Sequence, residues 1–154
     1  MSQTKFFIIS SAAIFVLERA LSVISPWPVF IFPVFVVLFG LSVAGDILAY
    51  LPHVAVAALF FDFFSGFPFG WFTLAILAVF ISIYLAKTFF NINGKPPIFS
   101  LVVSLIFVFE YFLLLSIKTS LGALVSQAPL ILTESAILLF LMRFLFQKFL
   151  NPKP

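Results

Sequence analysis

Six ionisable residues stand inside otherwise apolar stretches of this chain: Glu18, Arg19, Asp62, Glu110, Glu134 and Arg143. In a hydrocarbon setting such groups face a partner or a cavity, so they are the first candidates for chemistry. Three uses suit them: a packing ion pair, a proton or substrate relay, and a polar patch that binds a partner. Their depths can be compared from the helical rise. Arg19 lies roughly 21 Å from the start of a first helix and Glu110 roughly 20 Å from the same side. Glu134, on a helix running the other way, falls at roughly 22 Å, and Asp62 shares that layer. The reading is that Arg19 pairs with Glu134 or Glu110. Glu18 and Arg19 serve each other poorly, because adjacent residues diverge around a helix. Arg143 is expected to snorkel to nearby headgroups.

Other chemistries find little to work with. There is no cysteine, which removes disulfides, thiolate metal sites and cysteine nucleophiles. His53 is the only histidine and has no Cys, Asp or Glu beside it in sequence, so it reads as an interfacial or capping residue, not a metal ligand. No G-x-S-x-G, P-loop or dinucleotide glycine pattern occurs. We expect no catalytic residue, no metal and no cofactor. The net charge of +3 is carried by scattered basic residues near segment ends, which is topology signalling and not a nucleic-acid surface.

What must position these residues is a membrane bundle. Of 154 residues, 64% are hydrophobic and 8% charged, more apolar surface than a water-soluble domain of this size can hide. The runs are apolar on every side, unlike the alternating strands of a transmembrane β-barrel. The 25 phenylalanines read as lipid-facing bulk. The first apolar run has no convincing small-x-small site after it, so it reads as an uncleaved helix.

Proline and glycine divide the chain into an all-α, polytopic, single-domain bundle of about six transmembrane helices. These are expected over Lys5–Ile24, Val29–Val43, a third ending near Phe64, Gly70–Thr88, Pro97–Ile117 and Pro129–Lys148. The third begins near Ile47 with a break at Pro52-His53, or only at Val54. Lys5, Lys87, Lys95, Lys148 and Lys153 then fall on one side and only Lys118 on the other, which places both termini in the cytoplasm. Trp27 and Trp71 fall together at the outer face.

The most distinctive stretch is Val56–Gly70, in which an apolar helix ends at Asp62 and a Ser-Gly-Phe-Pro-Phe-Gly turn opens the next helix. Asp62 can accept hydrogen bonds from loop amides or from the free N-terminal donors of that helix, and its charge suits the positive helix end. Gly66 and Gly70 permit a tight reversal and Pro68 stiffens it.

This arrangement resembles the rod-shape-determining MreD family, whose third and fourth helices are joined by a similar aspartate, Ser/Gly, small-apolar, Gly turn. The specific likeness covers Leu59–Leu74. By residue it carries over Asp62, Gly66, Pro68 and Gly70 as a structural signature, not a catalytic site. The resemblance implies a non-enzymatic scaffold of the bacterial cell-elongation machinery, in the inner membrane, associating with an MreC-like bitopic protein and the wall-synthesising complex. Arg19, Glu110 and Glu134 are then intramembrane polar contacts, and Glu110, Glu134 and the outer turn Asp62–Gly70 are the places for a partner to dock. The competing expectation comes from architecture: MreD-like proteins are similar to the six-helix substrate-binding subunits of energy-coupling vitamin transporters. In that reading the same carboxylates line a ligand pocket.

Overall fold

The computed structural model describes residues 2–24, 31–43, 46–65, 68–92, 97–116 and 121–149. Six helices run in sequence: α1 (Gln3–Ile24), α2 (Ile31–Ser42), α3 (Leu51–Ser65), α4 (Trp71–Phe90), α5 (Pro97–Ser116) and α6 (Leu121–Phe149). A 3₁₀ turn, Ile47–Tyr50, leads directly into α3. No strand occurs among the described residues. Four segments are long and apolar enough to cross a bilayer: Gln3–Ile24, Ile47–Phe64, Trp71–Phe90 and Ala128–Leu145. Ile31–Ser42 and Ile98–Leu114 are shorter apolar helices. The chain is an all-α polytopic membrane protein.

Three boundaries bear on the sequence reading. The third helix starts at the earlier of the two alternatives, with no break at Pro52-His53. The Asp46 carboxylate accepts from the Leu48 amide at 3.1 Å and caps the 3₁₀ turn, and Pro52 lies in the first turn of α3, where its missing N–H leaves no gap. α6 begins eight residues before the expected start and runs through Pro129. One proline removes one backbone bond, which a membrane helix with packed neighbours tolerates. The described part of α2 has 12 residues, or roughly 18 Å against a hydrocarbon core of about 30 Å, and its expected start at Val29 lies outside the described residues. The expectations placed on Trp27, Gly66, Lys95, Lys118 and Lys153 lie outside the described residues.

α2 is the axis of the bundle. Every residue from Ile31 to Gly40 is buried, and the helix packs on α1, α4, α5 and α6. α3 lies chiefly against α4, and α6 against α2 and α5. Gly40 permits the closest approach: a Cβ there would meet Ile83 Cγ2 at 3.2 Å and Ile47 Cδ1 at 3.3 Å.

Phenylalanine divides between two roles, which corrects its reading as lipid-facing bulk. Phe60, Phe63, Phe89, Phe140 and Phe144 do face outward. Phe7, Phe32, Phe35, Phe39, Phe61 and Phe72 instead form a buried aromatic spine along α2. Phe32 stacks on Phe61 with centroids 4.1 Å apart, Phe7 meets Phe39 at 4.8 Å, and Tyr111 closes edge-on against Phe72 at 5.9 Å. Offset and edge contacts of this kind each add to the area the rings bury.

Candidate functional site

An α-helix leaves its first four N–H groups and last four carbonyls without internal partners, and hydrocarbon offers no water to replace them. The charged residues inside the spans are found largely at these ends. Asp62 does the most. Its Oδ2 accepts from the Gly70 amide at 3.1 Å, the Thr73 amide at 3.0 Å and the Thr73 hydroxyl at 2.5 Å. Its Oδ1 accepts from the Phe72 amide at 2.9 Å. The Trp71 amide donates to the Pro68 carbonyl at 3.0 Å, so the four donors from Gly70 to Thr73 are all satisfied. Gly70 sits in the left-handed region, φ 88°, a conformation glycine adopts without strain. It has no side chain with which to cap α4, and Asp62, reaching across from α3, supplies the cap. Asp62 is 3% exposed.

The same device recurs on α1, where the sequence reading gave Glu18 no role. Glu18 Oε1 accepts from the Ile31 and Phe32 amides at 3.1 and 3.4 Å, capping the N-terminus of α2. One residue on, Arg19 Nη1 donates to the Phe64 carbonyl at 2.6 Å, at the C-terminal end of α3. Its guanidinium also lies 5.8 Å from the Phe15 ring centroid, within cation–π range. At the opposite end of the bundle, Lys87 Nζ donates to the Gly40 carbonyl at 3.2 Å and to the Val43 carbonyl, closing the C-terminus of α2. In all four cases the sign fits the helix dipole, with anions at N-termini and cations at C-termini.

This corrects the pairing expected of Arg19. Its neighbours are wrong for that pairing: α1 packs on α2 and α3, whereas α6 lies against α2 and α5. The bare carbonyl at the end of α3 is nearer. Glu110 accepts from the Ser82 hydroxyl at 3.4 Å, between α5 and α4. Arg143, expected at headgroups, donates to the Ser100 hydroxyl at 2.7 Å in the first turn of α5. Glu134 is half-buried on α6 and no partner for its carboxylate is found among the described residues.

Pro68 is exposed at the turn. His53 is half-buried in the first turn of α3, its ring 6.1 Å from Tyr50. It borders a cavity of about 540 Å³ between α1 and α3, whose other walls include Phe7, Ser11, Phe15, Ala57 and Phe61. Its walls are almost wholly apolar, and Glu18, Asp62, Glu110 and Glu134 are not among them.

Glu18 carried a legible signal. Like Asp62, it is an acid within two turns of the end of an apolar helix, followed by a proline-containing turn and another helix. Lys87 had no comparable sign, because its targets lie on a helix distant in sequence. No protein-family model, curated protein or solved structure matches this chain.

Proposed function

We propose that this chain is a non-enzymatic scaffold of the bacterial cell-elongation machinery, a multi-pass inner-membrane protein with both termini cytoplasmic. It acts through helix–helix contacts with an MreC-like bitopic protein and, through it, the wall-synthesising complex. The observation that carries this reading is the α3–α4 hairpin. Two of the residues behind the resemblance to the MreD family form a structural device, in which the buried Asp62 closes α4 and Gly70 takes the left-handed turn. A protein built this way acts by packing and interhelical polar contacts in lipid.

The transport reading draws less support. A solute site combines apolar walls with several convergent polar groups. The cavity between α1 and α3 has the volume, yet Glu18 and Asp62 are turned to helix ends and do not line it.

The test is affinity purification of the tagged chain from native membranes in mild detergent. Recovery of an MreC-like protein with wall synthases is the expected result. Recovery of a transporter coupling subunit with its ATPases would overturn the proposal in favour of solute uptake. A clean, partnerless chain would also count against it.

A further inference from the structure

We propose that the face of α6 around Thr133 and Glu134 docks one transmembrane helix of another protein, and that this helix carries a lysine or arginine level with Glu134. The inference rests on the scaffold reading and names the chemistry of its partner. α6 is the barest of the four candidate spans, with 12% of the Ala128–Leu145 window buried against 39% in α4. Leu130, Thr133, Ile137, Phe140 and Phe144 recur on its exposed side at three- and four-residue steps, the spacing with which membrane helices pack against one another. Glu134 borders this stripe and holds no hydrogen bond or ion pair among the described residues. A carboxylate at such a position calls for a cation or a donor.

The described residues do not offer one. Among them, Arg19 is engaged on Phe64, Lys87 on Gly40 and Val43, and Arg143 on Ser100, and Lys5 stands in the first turn of α1, at the bundle end of Lys87. A second copy would bring the same described cations, none of them free at the level of Glu134, so charge complementarity points to a different chain. A lipid ammonium group is also poorly placed, since Glu134 lies roughly 9 Å inside the end of the span.

The experiment uses the full chain in phosphatidylcholine vesicles, labelled at T133C, which is the sole cysteine of that variant. The probe is a labelled synthetic leucine–alanine helix of about 22 residues with one lysine about six residues from one end. Energy transfer is compared with that from the same peptide carrying leucine in place of lysine. The lysine peptide should associate about three- to tenfold more tightly, and E134Q should erase that preference while thermal unfolding of the chain stays unchanged. Equal association of both peptides, or a preference that survives E134Q, would overturn the site. So would transfer between chains labelled separately, without peptide, that E134Q abolishes, because the occupant would then be a second copy. Peptide selectivity with an empty affinity purification keeps the site and removes the scaffold reading. The reverse pair of results removes the site alone.

Discussion

α2 and α6 are opposite solutions to life in a bilayer. α2 is the shortest helix, 12 residues, buried along its length and closed at both ends by charges from its neighbours, Glu18 at one and Lys87 at the other. α6 is the longest, 29 residues, mostly bare along its span and carrying a carboxylate that none of the described residues engages. The first is organised wholly toward the protein and the second largely away from it. The difference separates charges that stabilise the fold from a charge available to something else. An intramembrane acid is therefore not one category: Glu18 and Asp62 complete helices, and Glu134 does not.

The sharpest way to break this contrast is at Asp62. Asp62→Ala strips the acceptor from three amides and a hydroxyl in a buried place, each unsatisfied group costing about 1–3 kcal/mol. Partial relaxation leaves a net loss of about 3–5 kcal/mol, enough to deplete folded protein. Asp62→Asn, which keeps one acceptor oxygen, should lose less. The check is thermal unfolding in detergent, followed by circular dichroism, with the yield of monodisperse protein alongside. Wild-type stability in the alanine variant would mean that the cap is incidental.

A smaller effect is expected at Gly40, where α2 meets α4. The atoms closest to a new Cβ are side-chain methyls at 3.2 and 3.3 Å, so the remainder of a leucine has no room. Gly40→Leu should destabilise by about 1–3 kcal/mol through overpacking. Gly40→Ala should be closer to neutral, because its helix propensity offsets the crowding. The two variants separate volume from backbone conformation in the same unfolding assay.

The two caps of α2 come next. Glu18→Ala and Lys87→Met should each cost about 0.5–2 kcal/mol. The caps stand at opposite ends, roughly 18 Å apart, so the double variant should equal the sum within about 0.5 kcal/mol. Strong non-additivity would show that α2 responds as one unit to loss of either end.

Which of these features the sequence disclosed follows from what each depends on. Punctuation by Pro26, Pro28, Gly66, Pro68 and Pro96 is local, and it divided the chain into the right number of helices. Pro129 misled, because a proline reads as a helix start where the fold passes straight through it. Depth along a helix is also local, at about 1.5 Å per residue, but equal depth does not make two residues partners. Azimuth and neighbour are not local. Whether Phe35 faces lipid or α1, or whether Arg19 finds Glu134 or the Phe64 carbonyl, is decided by which helices pack together. Asp62 was readable because its targets, Gly70 to Thr73, follow within a dozen residues. Lys87 reaches 47 residues back to Gly40, and nothing near it in sequence says so.

The smallest effect is the most discriminating. Arg19→Ala loses one charge-assisted bond to a carbonyl and a contact with Phe15, about 1–2 kcal/mol. Glu134→Gln breaks no bond among the described residues and should change stability by less than about 0.5 kcal/mol. Had the two formed a pair, neutralising Glu134 would restore part of what the arginine variant loses. With Arg19 on α3 and Glu134 at an open face, their effects should add within about 0.5 kcal/mol in a double-mutant cycle. Coupling beyond that would return Glu134 to the fold's internal economy and erase the contrast between α2 and α6. Additivity, with E134Q as stable as wild type, leaves a membrane-embedded carboxylate that contributes nothing to folding, the condition under which the proposed docking face on α6 stands.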